Sequence, residues 1–145
     1  MRDLFSNNNF IRGALQTLSG TTANNSALID MQGFAGLSVY LLTGTVTDAG
    51  DTAGFTMKLQ HSDSTLGTSF VDVPADELIG STVSVTLDTQ DDLIVGGIGY
   101  IGKNRYVRAV FTGTTGTNAI VSILGHRGKP RVAPVTAIGS TTAST

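Results

Sequence analysis

The sequence predicts an all-β protein. It favours a single β-sandwich (jelly-roll or immunoglobulin-like) of about eight or nine antiparallel strands with extended N- and C-terminal arms. Short apolar runs rich in β-branched and aromatic residues recur every ~8–12 residues, separated by Gly, Asn, Asp and Ser. Within several runs, apolar and polar residues alternate as they do in half-buried strands, and almost no stretch has helical periodicity.

The N-terminal third of the chain supplies the predicted arm and the first strands. Residues 1–26 are rich in Asn, Ser, Thr and Gly with scattered apolar side chains, which favours an extended arm with a first strand within residues 10–18. Apolar stretches at residues 27–31 and 37–42 predict two further strands. Residues 43–54 consist mainly of Thr, Gly, Asp and Ala, which predicts a flexible loop or a hairpin tip.

In the middle of the chain, apolar and polar residues alternate more regularly. In residues 55–61, Phe, Met and Leu alternate with Thr, Lys and Gln, which is typical of a half-buried strand. Residues 69–73 and 82–87 predict two more strands, and residues 74–78 predict one helical turn with acidic residues at its N-terminal end. Residues 88–92 read as an acidic turn.

Three apolar runs follow, at residues 93–101, 106–111 and 119–124. Gly and Asn residues in the gaps predict that these runs form a three-stranded antiparallel meander. In the second run, period-two alternation predicts that Val107, Ala109 and Phe111 face the core while Arg108 faces outward.

At 145 residues the chain is predicted to form one domain. The sandwich is expected to span residues 27–126, between the N-terminal arm of residues 1–26 and a basic tail of residues 127–145. No apolar run approaches the roughly 20 residues of a membrane span, so no membrane partner is expected. The first ten residues lack the apolar region of a signal peptide, which favours synthesis in a cytoplasm.

Charge is segregated along the chain. Residues 1–92 hold all 11 acidic residues and three of the nine basic ones, a net charge of −8, whereas residues 93–145 hold the other six basic residues, a net charge of +6. Such segregation favours head-to-tail contact between copies, or a basic arm on an acidic partner. Because the basic residues are sparse and the whole chain is acidic, no nucleic-acid partner is expected.

No arrangement of catalytic residues is recognisable, so the chain is predicted not to be an enzyme. The absence of cysteine excludes disulfides, thiolate–zinc sites and a cysteine nucleophile. The two histidines, His61 and His126, fall short of the three or four ligands that zinc needs, which favours structural roles for both. The acidic turn favours capping and solvation, with calcium as the alternative. No cofactor is expected.

Glycines 96, 97 and 99 lie inside a strand pattern. No helix and no Gly-Lys-Ser/Thr sequence follows them, which argues against a phosphate-binding loop. Glycines within a strand are more typical of a β-bulge or of close backbone approach, and this is the structure that we predict here.

From Phe55 onward a series of packing and turn motifs occurs along the chain. They are LQHSD at residues 59–63, FVDV at 70–73, LIG at 78–80, GYIG at 99–102, RYVR at 105–108 and GHR at 125–127. In this order they resemble small β-sandwich proteins encoded in the head-assembly regions of tailed bacteriophages, over about half of the chain. The resemblance implies a capsid decoration or stabilisation (cement) protein, which binds the outer shell of the head, often as a trimer.

The expected function is therefore that of a non-enzymatic virion structural protein on the capsid surface, synthesised in the host cytoplasm. Its expected partners are the major capsid protein and further copies of itself, with a trimer as the expected assembly. Two alternatives stay open. One is another virion component, such as a tail, connector or fibre-base protein, and the other is a carbohydrate-binding β-sandwich module.

Six residues are the candidate contacts with the capsid or with neighbouring subunits. They are Phe5, Phe10, Arg12, Arg127, Lys129 and Arg131. The two phenylalanines are apolar anchors in a polar arm that cannot bury them by itself, so we expect them to insert into an adjacent chain. The three basic residues of the tail are expected to dock together on an acidic surface of a neighbour.

Overall fold

The computed structural model describes residues 7–47, 54–113 and 118–131. These residues form twelve strands and two short 3-10 turns. In chain order the strands are β1 (Asn9–Arg12), β2 (Gln16–Ser19), β3 (Asn24–Asn25), β4 (Ile29–Asp30), β5 (Phe34–Thr47), β6 (Phe55–Ser62), β7 (Val71–Asp72), β8 (Leu78–Ile79), β9 (Val83–Val85), β10 (Ile94–Tyr100), β11 (Tyr106–Gly113) and β12 (Asn118–Pro130). The 3-10 turns are Gly67–Ser69 and Ala75–Glu77.

The strands build two six-stranded antiparallel sheets packed against each other, so the predicted β-sandwich is confirmed. In the first sheet, sheet A, the order is β1-β12-β5-β10-β8, and β2 also pairs with β12. In the second sheet, sheet B, the order is β3-β11-β6-β7, with β4 beside β11 and β9 beside β6. Fewer strands are predicted from the sequence for two reasons. The single strand predicted within residues 10–18 divides into β1 and β2, and β3 and β8 have only two residues each, too few to produce a visible alternation.

The core lies between the two sheets and is formed by alternate residues of the long strands. From sheet A it takes Leu37, Val39 and Leu41 of β5, which are at most 4% exposed. From sheet B it takes Val107, Ala109 and Phe111 of β11, which are 0%, 0% and 1% exposed. The predicted register of this strand is therefore confirmed.

The predicted three-stranded meander is wrong, although all three of its strands exist. β10 and β12 lie in sheet A on opposite sides of β5, whereas β11 lies in sheet B beside β6. The chain therefore crosses between the sheets at both connections. Gly and Asn in the gaps indicate a change of chain direction, but they do not distinguish a hairpin from a connection between two packed sheets.

The sandwich extends beyond residues 27–126 at both ends. In the predicted N-terminal arm, β1 and β2 pair with β12, and β3 pairs with β11. In the predicted tail, β12 continues to Pro130, opposite Phe34 at the start of β5. The two sheets include these segments because each brings a row of backbone hydrogen bonds, which side-chain composition does not reveal.

Strand β5 is also longer than the sequence suggests. Residues 43–47, predicted as part of a loop, continue the strand, and residues 48–53 lie outside the described residues. Strand β5 also pairs with β10, and the register of this pairing shifts between Ile94 and Gly96. An irregularity therefore lies beside Gly96, as predicted for the glycines of this strand, whereas Gly97 and Gly99 pair with β5 in regular register.

Candidate docking surface

The outer face of sheet B is polar, and its side chains bond to one another. Lys58 donates a hydrogen bond to Asp72 over 2.7 Å. The Nε and Nη2 atoms of Arg108 donate to Gln60 Oε1 over 3.0 and 2.7 Å, and the guanidinium lies 4.3 Å from the centre of the Phe70 ring. These contacts make a solvated surface whose polar groups have partners within the chain.

The outer face of sheet A is largely apolar. Alternate residues of its strands point away from the core, and we call the surface that they form the sheet A face. Its larger side chains are Phe10, Arg12, Tyr40, Leu42, Ile79, Ile94, Ile120, Leu124 and His126, and the small polar side chains of Thr17, Ser38 and Ser122 lie among them. Ile79 is 62% exposed and Phe10 is 39% exposed. Contiguous apolar surface of this kind is typical of a region that another molecule covers.

Glycines of β10 make room for large side chains on this face. The Tyr40 ring lies across Gly97, where an added Cβ would come within 2.7 Å of the ring. Ile79 lies over Gly99, where an added Cβ would come within 3.0 Å of it. Between them is a groove of about 430 Å³, whose lining also includes Lys129.

Strand β1 brings two of the predicted contact residues, Phe10 and Arg12, to the sheet A face. The Phe10 ring stacks on His126 with the ring centres 4.6 Å apart and the planes inclined by 14°. Phe10 is therefore partly covered by its own chain, and its remaining surface is open beside the exposed Arg12. The other predicted anchor, Phe5, lies outside the described residues.

Arg127, the first basic residue of the predicted tail, is held within its own chain. Its Nε and Nη2 donate to Asn9 Oδ1 over 3.2 and 2.6 Å, and its Nη1 donates to the Asp30 carbonyl oxygen. The guanidinium also lies 4.3 Å from the centre of the Phe34 ring. Burial lowers the pKa of Arg127, and the nearby Asp30 carboxylate opposes that shift. These contacts tie the start of the chain to β12.

The other two basic residues of the predicted tail, Lys129 and Arg131, are exposed. Arg131 borders a cleft of about 540 Å³ at one end of the sandwich, which we call the end cleft. Its lining includes Lys103 and Arg105 together with the apolar side chains of Phe34 and Ile101. Three of the six basic residues of residues 93–145 therefore line this cleft.

One of the end-cleft cations, Arg105, forms an ion pair. Its Nε and Nη2 donate to the two carboxylate oxygens of Asp30 over 3.1 and 2.8 Å. This hydrogen bonding holds the pKa of Asp30 below its usual value of 3.8, and the backbone N–H of Gln32 adds to the effect. The pair connects β4 to the start of β11 across the rim of the end cleft.

Replacing Asp30 with asparagine is expected to lower the free energy of unfolding at pH 7 by about 0.2–1 kcal/mol, the usual range for an exposed pair. Because the folded carboxyl titrates below 3.8, its contribution is complete above about pH 4 and disappears as the pH falls through the folded-state pKa. Urea unfolding of both proteins between pH 3 and pH 7 measures this. A difference that stays constant down to the lowest pH would contradict the ion-pair origin of the effect.

A buried polar cluster lies beneath the end cleft. His61, which is 6% exposed, places Nδ1 3.1 Å from the Tyr100 hydroxyl oxygen and 3.3 Å from Glu77 Oε2. The Tyr100 hydroxyl also accepts the backbone N–H of Asn104 over 3.0 Å. Glu77 Oε2 is buried and has no hydrogen bond among the described residues, so His61 is the polar group that faces it. The cluster fixes residues 101–104, which line the end cleft, to both sheets.

The acidic turn at residues 88–92 is ordered by hydrogen bonds. Asp91 Oδ1 accepts the backbone N–H of Val46 over 2.7 Å, and the Gln90 side chain accepts the backbone N–H groups of Thr86 and Leu87 over 2.9 and 3.0 Å. Within the described residues, no three His, Asp or Glu side chains lie close enough together to hold a metal ion.

Among the residues that the structure describes, no helix has the length and apolarity needed to cross a membrane.

Five of the six motifs that carry the phage resemblance pair with another motif, in two separate groups. The pairing of β10 with β8 joins GYIG to LIG, and the pairing of β11 with β6 joins RYVR to LQHSD. The GHR motif lies on β12, opposite residues 37–39 of β5. No protein-family model, curated protein or solved structure matches this chain.

Proposed function

We propose that this protein is a non-enzymatic virion structural protein that binds the outer surface of a tailed-phage head and stabilises it. The observation that carries the proposal is the difference between the two faces of the sandwich. Sheet B presents polar side chains that bond to one another, whereas sheet A presents apolar and aromatic side chains. We place the contact with the major capsid protein on the sheet A face.

The size of the sheet A face suits this role. A stable interface removes roughly 800 Å² of accessible surface from each partner. That is about a tenth of the 8326 Å² that the described chain exposes, an area that one broad face of a sandwich can provide. On a shell with many equivalent sites, contact between neighbouring copies adds to the affinity for the shell, which supports the trimer expected from the resemblance.

The proposal is tested by mixing the purified protein with heads that lack it and counting the bound copies after sedimentation. We expect saturable binding at a fixed number of copies per head. Replacing Phe10 or Ile79 with aspartate should weaken binding by about tenfold or more, because burial of such a side chain contributes ~1.5–3 kcal/mol. Both residues are exposed in the isolated chain, so both variants should fold.

The matched control is Thr112→Asp, which places the same charge on the outer face of sheet B, where Thr112 is exposed and lies opposite Thr56. This variant should bind heads like the unmodified protein. If the control lost binding and the Phe10 and Ile79 variants kept it, the docking face would be sheet B. If the unmodified protein did not bind heads at all, the proposed function itself would be wrong.

Two alternative functions predict different results, one in the copy number per particle and the other in glycan binding. Another virion component, such as a tail, connector or fibre-base protein, would be present in a few copies per particle rather than across the shell. A carbohydrate-binding module is favoured by one observation, the Tyr40 ring beside the groove of about 430 Å³, since an aromatic ring is a common platform for a sugar. Binding of the isolated protein to a glycan array would support that alternative.

A further inference from the structure

The two ends of the sandwich differ in charge. Strand β5 connects them, with Phe34 beside the end cleft and Val46 bonded to the acidic turn. At ~3.3 Å per strand residue the two sites are roughly 40 Å apart. The acidic turn and the basic end cleft, which lie apart in the sequence, are thus also far apart in space.

The acidic turn is a preformed, projecting surface. Besides the bonds of Asp91 and Gln90 described above, Thr43 Oγ1 donates to the Gln90 carbonyl oxygen over 2.5 Å, which holds the turn to β5. Its carboxylates belong to Asp88, Asp91 and Asp92, all exposed. The flanking Leu87 and Leu93 are 51% and 49% exposed, so apolar surface borders the acidic groups on both sides.

The end cleft has the complementary chemistry. It combines three cations with apolar side chains in a volume of about 540 Å³. Arg105 is engaged with Asp30, whereas the side chains of Lys103 and Arg131 form no ion pair with the described residues. The cleft therefore offers two unengaged positive charges beside Phe34 and Ile101, which matches a turn that carries carboxylates between two leucines.

We propose that the acidic turn of one copy docks in the end cleft of a second copy. A single chain cannot make this contact with itself, because its two surfaces lie at opposite ends of β5. The contact is heterologous, so each copy keeps one free turn or one free cleft, and association continues until a ring closes or a chain of copies forms. The contact does not depend on the capsid, and it provides the kind of interface that a cyclic trimer requires.

The test uses two single variants in sedimentation velocity experiments on the full chain. Lys103→Glu reverses a charge in the cleft, and Asp88→Lys reverses one in the turn. The control, Thr112→Asp, introduces a negative charge at an exposed position on the outer face of sheet B, outside both the turn and the cleft. None of the three side chains has a hydrogen bond or ion pair within the described residues, so circular dichroism should show unchanged folding.

The unmodified protein and Thr112→Asp should associate in a concentration-dependent way at about 0.02 M salt and more weakly at about 0.5 M salt, since screening shortens the range of the attraction. Each of the other two variants alone should need about tenfold higher concentration or more to associate. An equimolar mixture of these two should recover association, because the intact cleft of one meets the intact turn of the other and the two reversed sites also attract.

Recovery in the mixture separates a heterologous contact from a contact between identical patches, which mixing does not restore. Three results would overturn the proposal: an unmodified protein that stays monomeric at all concentrations, variants that associate like the unmodified protein, or a mixture without recovery. Head binding is measured separately, so an unmodified protein that binds heads but stays monomeric would refute this contact and leave the proposed function in place.

Discussion

Replacing Phe111 with alanine is expected to lower the free energy of unfolding by about 3–5 kcal/mol. Phe111 is 1% exposed and faces the core from β11, next to Met57 on the neighbouring strand β6. Removing its ring leaves a cavity between the two sheets, and both sheets are held apart by many other contacts, so the cavity cannot close. Since domains of this size have a total stability of about 5–15 kcal/mol, the variant should be close to the limit of folding.

The matched control for Phe111→Ala is Thr112→Ala, the next residue of the same strand. Thr112 points to the outer face of sheet B and is exposed, so its truncation should change the free energy of unfolding by less than about 0.5 kcal/mol. Urea unfolding followed by circular dichroism measures both variants. A larger effect at Thr112 than at Phe111 would mean that β11 is shifted by one residue, which exchanges its two faces.

Alternation in the sequence predicts which face of a strand is buried, but not which strand lies beside it. Val107, Ala109 and Phe111 are buried as expected, because period two alone determines their side of the sheet. Nothing in that pattern shows that β11 pairs with β6 rather than with its neighbours in sequence. Pairing partners depend on which long-range arrangement best fills the core, and a single sequence does not display that.

Polar segments are the second place where the structure differs from the fold predicted from the sequence. The strands β2 and β3 consist mostly of Gln, Thr, Ser and Asn, β1 reads Asn-Phe-Ile-Arg, and each of the three contributes backbone hydrogen bonds to a sheet. Arg127 shows that the candidate docking surface is subject to the same limit, since sequence composition does not reveal which strands pair. Its charge suggests a surface role, but its hydrogen bonds to Asn9 and to the Asp30 carbonyl depend on the pairing of β1 with β12.

The docking surface could be predicted only in part. Phe10 and Arg12 were candidates because of their chemistry, and the structure places both on the sheet A face. Tyr40 and Ile79 were not candidates, although Gly97 and Gly99 gave a signal that some large side chain crosses β10 there. Identifying that side chain requires the register between β10 and its two neighbours, which no local pattern supplies.

Replacing Tyr100 with phenylalanine is expected to cost about 1–3 kcal/mol of folding free energy, the usual effect of leaving buried polar groups without a partner. The ring fits as before, but His61 Nδ1 and the backbone N–H of Asn104 lose the hydroxyl that they contact. Hydrogen exchange at Asn104 should become faster, because this bond holds the loop that lines the end cleft. Tyr106→Phe, at the half-buried start of β11, is the control.

The same variant should change the stability of the protein in alkali. Burial raises the pKa of Tyr100 from 10.0 to about 12, and the Glu77 and Asp63 carboxylates act in the same direction, against the hydrogen bond from Asn104. Because the unfolded phenol ionises at lower pH than the folded one, its contribution to stability is complete below about pH 10 and is lost as the pH rises toward 12. Urea unfolding at pH 8, 10 and 11.5 should therefore show a steeper loss of stability for the unmodified protein than for Tyr100→Phe, so that the two curves approach each other at high pH. If their separation stayed the same at all three values, the Tyr100 hydroxyl would not be buried in the folded protein.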